Sequence, residues 1–183
     1  CPLILSHYDF FLRSIEVTPD LVLRFGRKPT SKILNQYLDR WKDKTILIDA
    51  WEQFNDDCHQ YIQAPIGDFC DIQMAAMNSN NDEQWTNHIL QLEKSTKEVI
   101  EKDEDFHEGT IAKTCLESLR DGDNIIIGNS MPIRDVDSFS SILSTQISTY
   151  SNRGSSGIDG VISTALGVAQ SYKKSHSLLL IGD

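Results

Sequence analysis

Apolar residues along this chain follow two rhythms: short unbroken runs, and longer stretches in which one helical face is apolar. "DLVLRFG" (20–26) is a short apolar run that ends in glycine, which predicts a buried strand. "SKILNQYLDRW" (31–41) sets Ile33, Leu34, Tyr37, Leu38 and Trp41 at helical spacing, with Thr30 or Ser31 placed to cap the N-terminus. "KTILIDA" (44–50) is the next strand, with Asp49 at its end. Strand, helix and strand in that order imply a parallel sheet with a crossover helix, so the fold class is α/β with Rossmann-like parallel layers.

The pattern weakens and then resumes. "YIQAPIGDFCDI" contains one short strand broken by Pro65, and polar "NSNNDE" (78–83) predicts a loop. Residues 83–106 form a long amphipathic helix with an acidic tail, and a domain boundary is expected there, dividing 1–105 from 106–183. Beyond it come a helix (110–119), a turn (121–124) and a buried strand, "IIIGNS" (125–130), running into a glycine loop. A short helix over 134–143, the strand "TQISTY" (145–150), a helix over 161–172 and the strand "SLLLIGD" (177–183) complete the series. No internal repeat or low-complexity segment interrupts it.

Composition narrows the function classes. The 183 residues carry a net charge of −10, which excludes nucleic acid or an anionic membrane as the main partner. No apolar run approaches the ~20 residues of a membrane span. The opening "CPLILSHYDFF" lacks the pattern of a signal peptide, so a cytoplasmic location is expected. The four cysteines show no CxxC and are expected as reduced thiols. The five histidines form no HxxxH pair, so no histidine-centred metal site is expected. Both ends of the chain are abrupt and read as cut.

Candidate chemistry gathers in three loops at the carboxyl ends of predicted parallel strands, namely 128–134, 151–160 and 182–183. That edge of an open α/β sheet is where ligands bind. The loops offer glycine amides, the hydroxyls of Ser130, Ser155 and Ser156, the guanidiniums of Arg134 and Arg153, and the carboxylate of Asp183. A diphosphate with a divalent cation suits this set, the amides and Ser130 meeting phosphate oxygens and Asp183 acting as a hard oxygen ligand. The two guanidiniums suit carboxylates. Plainer explanations exist for each part. Arg134 could pair with Asp135 or Asp137, Ile158 could belong to a core, and a lone Gly-Asp after a strand is common.

Together, "IIIGNSMPIRD" (125–135), "YSNRGSSGIDGVISTALGV" (150–168) and "LLLIGD" (178–183) resemble the thiamin-diphosphate-dependent synthases of menaquinone biosynthesis, the MenD family. "RFGRKPTSK" (24–32) is similar to that family's central domain. The resemblance implies parts of two α/β domains of a three-domain enzyme: the later part of a central domain (1–105) and the first half of a diphosphate-binding domain (106–183). It implies thiamin diphosphate with Mg²⁺ or Mn²⁺ as cofactors. Gly128, Asn129, Ser130, Ser156, Gly157, Ile158, Gly182 and Asp183 would then contact the cofactor. Ile158 would be wedged under its bend, and Asp183 would ligate the metal. Ser130, Arg134, Arg153 and Lys32 match positions that hold substrate carboxylates. Ile33 stands where some relatives carry arginine, a departure that leaves part of the carboxylate contact unassigned.

The activity implied is decarboxylation of 2-oxoglutarate followed by conjugate addition of the resulting carbanion to isochorismate, in a homodimer or dimer of dimers. The glutamate that activates the cofactor lies outside this chain. The 183 residues alone are therefore expected to be inactive and to bind the cofactor weakly. Two other functions stay open: another thiamin-diphosphate-dependent 2-oxo acid decarboxylase or synthase, and a non-enzymatic nucleotide-binding module. The first needs fewer cations than Arg134 and Arg153 supply, and the second wants a GxGxxG that "RFGRKP" lacks.

Overall fold

The computed structural model describes residues 3–51, 56–76, 83–154 and 157–182. The chain divides into two compact units, Phe11–Ile89 and Cys1–Phe10 with Leu90–Asp183. Among the described residues the elements run α1 (Tyr8–Phe11), β1 (Val22–Phe25), α2 (Lys32–Arg40), β2 (Thr45–Asp49), β3 (Gln60–Gln63), α3 (Ile66–Ala76) and α4 (Glu83–Lys102). They continue with α5 (Glu108–Glu117), β4 (Asn124–Ile127), α6 (Met131–Phe139), β5 (Ser148–Tyr150), α7 (Val161–Ser171) and β6 (Ser177–Leu180).

In the unit Phe11–Ile89 the three strands form a parallel sheet in the order β1-β2-β3, with Val22 opposite Thr45 and Ile46 opposite Gln60. Leu47 and Ile48 on the central strand are fully buried, as a strand covered on both faces requires. Ser31 caps α2, its hydroxyl accepting from the Leu34 amide at 3.0 Å. Helix α3 departs from the sequence expectation, which gave this stretch no helix. Pro65 does not simply end a strand. Its carbonyl accepts from the Phe69 amide at 3.1 Å, so it opens the helix, where a missing N–H has no consequence.

The other unit holds a second parallel sheet in the order β5-β4-β6. Its central strand is the buried run "NIII", all four residues shielded from solvent. Alternation then assigns the helices to faces. Ile125 and Ile127 pack with Leu116 at the end of α5 and with Ile133 and Val136 of α6. Ile126 packs on the opposite face with Val161, Ala165 and Val168 of α7. Opposite faces are what right-handed crossovers demand here, because β4 to β5 and β5 to β6 step in opposite directions. Gly109 lets α5 approach α6 closely, since a Cβ there would lie 2.5 Å from the Phe139 ring. His107 caps α5, its Nδ1 accepting from the Gly109 amide at 3.1 Å.

Helix α6 starts three residues earlier than the sequence predicts, at Met131, with Pro132 in its first turn. Strand β5 is shorter than the predicted 145–150, and α4 ends at Lys102 and not at residue 106. The loop expected at 78–83 lies largely outside the described residues.

Candidate functional site

Strand β4 ends in Gly128, Asn129 and Ser130, and each of the three is constrained differently. The Gly128 amide bonds the Leu180 carbonyl at 2.8 Å, and a Cβ on Gly128 would lie 3.3 Å from that same oxygen. A side chain there would press on the backbone of β6. Ser130 has φ of 74° and ψ of −124°, and it is the only residue other than glycine with positive φ among those described. That conformation belongs to glycine in a tight turn, so Ser130 holds local strain. It occupies the N-cap of α6 without using its side chain as a cap. Ser130 is exposed and therefore sits open to solvent at the N-terminus of a nine-residue helix.

Asn129 reaches the second loop. Its Nδ2 donates to the Asn152 carbonyl at 2.9 Å and to the Gly157 carbonyl, while its Oδ1 accepts from Arg153 Nη1 at 3.4 Å. Asn152 Oδ1 in turn accepts from the Thr164 hydroxyl of α7 at 3.2 Å. Gly160, with φ of 77°, closes this loop as the N-cap of α7. The third loop joins through Gly182, where a Cβ would lie 3.8 Å from the Pro132 ring. The expected convergence of three loops is thus present through Asn129 on one side and Pro132 on the other.

The loop after β4 is shorter than expected, because Arg134 stands inside α6. Arg134 is exposed, and its Nη1 lies 4.0 Å from Met131 Sδ. It does not form the surface pair with Asp135 or Asp137 that the sequence left open. The Tyr8 hydroxyl donates to Asp137 at 3.2 Å, and burial pushes the Asp137 carboxyl up. Burial raises the Asp135 carboxyl too, and neighbouring Glu108 adds to the effect. Ile158 is 70% exposed, which removes the alternative that it belongs to a core. Lys32 is the exposed first residue of α2, in the unit Phe11–Ile89. Ser155, Ser156 and Asp183 lie outside the described residues. The sequence did not single out Asn152 or Thr164. Their part depends on which carbonyl and which hydroxyl meet after folding, and no residue spacing encodes that.

This donor set suits an anionic, partly apolar ligand. It offers the exposed Ser130 hydroxyl at a helix N-terminus, two guanidiniums and one exposed isoleucine. A diphosphate on an organic ring fits these residues. No group of three histidine, cysteine, aspartate or glutamate side chains able to hold a metal occurs among the described residues. Asp183 would be the metal ligand from this chain. No helix of the described residues is long and apolar enough to cross a membrane.

Fold and site together define an α/β protein with polar, glycine-containing loops gathered at the carboxyl edge of a parallel sheet. Comparison with known proteins carries this further, although no protein-family model matches the chain. It is 33% identical over 193 residues to the 2-succinyl-5-enolpyruvyl-6-hydroxy-3-cyclohexene-1-carboxylate synthase of Listeria monocytogenes serotype 4b, covering 98% of this chain and 33% of that one. The synthase of the same name from Trichodesmium erythraeum is 32% identical over 194 residues, covering 100% and 33%. That of Lysinibacillus sphaericus is 32% identical over 196 residues with the same coverage. Along its whole length the chain is therefore a relative of these synthases, and it spans about a third of the length of the curated relatives it matches.

Proposed function

We propose that the protein serves menaquinone biosynthesis as a thiamin-diphosphate-dependent 2-succinyl-5-enolpyruvyl-6-hydroxy-3-cyclohexene-1-carboxylate synthase. In this reading residues 1–105 belong to its central domain and 106–183 to its diphosphate-binding domain. Its substrates are 2-oxoglutarate and isochorismate, and the working form is a cytoplasmic homodimer or dimer of dimers. The observation that carries the proposal is the convergence of the GNS, SNRG and Gly-Asp loops on one sheet edge, in a chain related throughout to those synthases.

Each residue has a role in this reading. The Ser130 hydroxyl and the amides that open α6 meet anionic oxygens. Gly128 lets the end of β4 lie close against the backbone of β6. Ile158 supports the cofactor's apolar face, and the backbone at Ser156 and Gly157 lies beside its aminopyrimidine. Asp183 binds Mg²⁺ or Mn²⁺. Arg134, Arg153 and, from the central domain, Lys32 hold carboxylates, which accounts for cations at a site in an acidic protein. Thiamin diphosphate, when bound, supplies a ring that stabilises the carbanion left by loss of CO₂. An exposed apolar face on α7, with Ile162 at 60% and Leu166 at 67%, supports assembly into an oligomer.

The full-length protein, supplied with thiamin diphosphate and Mg²⁺, should release CO₂ from 2-oxoglutarate and consume isochorismate in equal amounts. Strong turnover of pyruvate with no use of 2-oxoglutarate would assign it to another enzyme of the same cofactor.

A further inference from the structure

Both donors of the Asn129 side-chain amide are engaged within the protein. It is 5% exposed, and a carboxamide has two N–H donors. One goes to the Asn152 carbonyl and the other to the Gly157 carbonyl, while the oxygen receives Arg153. No donor remains for a ligand oxygen. From this we infer that Asn129 is a positioning residue, a latch that fixes Asn152 and Gly157 to the end of β4, and not a side-chain hydrogen-bond donor to the cofactor. The inference rests on the proposed function for what the loop serves, and on the geometry alone for the latch.

The surroundings make the latch stiff. Asn129 sits between Gly128, which is pressed against β6, and Ser130, held in a strained turn, so its own backbone has little freedom. Asn152 passes the connection on to Thr164, which ties the start of the loop to the helix that follows it. One carboxamide thereby sets the position of a cation, Arg153, and of the carbonyl that precedes Ile158. Aspartate has the same shape and lacks both donors. It would set a carboxylate against two carbonyl oxygens while drawing Arg153 closer. Glutamine is one methylene too long for a site this closely bounded.

The test uses the full-length protein and two readouts. The first is amide hydrogen exchange without ligand, in wild type, Asn129→Asp and Thr164→Val. The second is steady-state turnover of 2-oxoglutarate and isochorismate over a range of thiamin diphosphate concentrations. Asn129→Asp should raise exchange across 151–160 roughly tenfold or more and leave Ile125–Ile127 protected, because only the loop is released. Its kcat should fall roughly 10- to 100-fold, with the apparent KM for thiamin diphosphate changed less than about threefold. Thr164→Val, which removes only the bond to Asn152, should give the same pattern at roughly a third of the size or less. Unchanged exchange in both variants would overturn the latch. So would a rise in the KM for thiamin diphosphate as large as the fall in kcat, since that marks a direct contact. If Asn129→Asp exposes Ile125–Ile127 as well, Thr164→Val decides by the same criteria. A wild-type protein inactive on both substrates would sink the proposed function, and the exchange data would still judge the latch.

Discussion

The two sheets have the same number of strands, the same parallel sense and a buried central strand, yet they differ in strand order and in the chemistry of their carboxyl edges. In the unit Phe11–Ile89 the order β1-β2-β3 steps one way across the sheet. In the other unit the chain starts in the middle, at β4, goes to β5 and returns past β4 to β6. The connections after β4 and β5 therefore leave toward opposite faces, the strand order at which open α/β sheets bind ligands. Polar groups in the two sheets follow suit. Arg24 in β1 is buried and pairs with Asp56 at 2.6 Å, and the Asp49 carboxylate at the end of β2 accepts the Trp51 amide at 2.8 Å. Those charges are consumed locally. Beside β4 the exposed Ser130 hydroxyl and Arg134 guanidinium form no close ion pair or hydroxyl bond among the described residues, although the Arg134 charge is felt at the Asp135 carboxyl. Strand order, more than fold class, separates the scaffold from the site.

Removing a cation from each sheet should break this comparison if it is wrong. Arg24→Ala strands the half-paired Asp56 carboxylate and should destabilise the protein by about 3 kcal/mol in denaturant unfolding. Replacing Arg24 with Met and Asp56 with Leu together should recover most of that loss. A single substitution as harmless as the double one would show that Arg24 is not structural.

Arg134→Ala should behave in the opposite way. Exposed and bound to no carboxylate, it should change stability by no more than about 0.5 kcal/mol. In the full-length enzyme it should lower kcat/KM for a carboxylate substrate roughly 10- to 100-fold. Lysine at this position should restore only part of the activity, because a point charge cannot give bidentate contact. An Arg134→Ala enzyme with unaltered kinetics would remove this residue from the site.

How much of this was legible beforehand follows from which forces act locally. Apolar runs identified β1, β2, β4 and β6, because a doubly covered strand must be apolar throughout. The Ser31 cap was legible as well, since a hydroxyl three residues from an amide is a local matter. One departure in helix placement has a local cause. Pro65 was read as breaking a strand, but it opens α3, where its fixed φ helps and its missing N–H is irrelevant. The residue types of the site were visible as loops of glycine, serine and arginine. The Asn129 latch was not, because its partners lie 23 and 28 residues away and are backbone carbonyls, which leave no mark on the sequence. Nor was the positive φ of Ser130 legible, since serine gives no sign of it.

That strain gives a finer test of the comparison. Ser130→Ala and Ser130→Gly both remove the hydroxyl, but only glycine relieves the backbone. Ser130→Gly should raise stability by about 0.5–1 kcal/mol, and Ser130→Ala should leave it level or slightly lower. Both should lose activity alike, by roughly tenfold, if the hydroxyl binds ligand. Calorimetric unfolding and kcat/KM on the same preparations separate the two effects. A glycine variant no more stable than the alanine one would mean that the turn carries no strain.

The smallest effect concerns the far side of the same helix, where polar groups should resemble those of the first sheet and serve structure. The Tyr8 hydroxyl donates to Asp137, and burial, ahead of the neighbouring Asp9 charge, raises the Asp137 carboxyl above its ordinary range. Tyr8 is raised as well, first by burial and then by Asp137. For an acid with a raised folded pKa, the folded state holds its proton more tightly than the unfolded chain. The stabilisation is then complete below the ordinary carboxyl pKa of about 4 and is lost as pH rises through the folded value. Asp137→Asn keeps an acceptor for Tyr8 and has no charge to bury. It should therefore be at least as stable as wild type at neutral pH, by about 0.5 kcal/mol once the partial exposure of the site is discounted. The wild type should lose stability relative to the variant as pH rises above the ordinary carboxyl pKa of about 4, and a difference curve of melting temperature against pH reads this directly. Tyr8→Phe adds the alkaline arm, removing a loss that otherwise begins near pH 10, where the unfolded tyrosine ionises and the folded one does not. If the Asp137→Asn difference curve were flat through acid pH, the carboxyl would be open to water. Helix α6 would then present charge to solvent on both sides, and the division between its binding end at Ser130 and Arg134 and its anchoring face at Asp137 would fail.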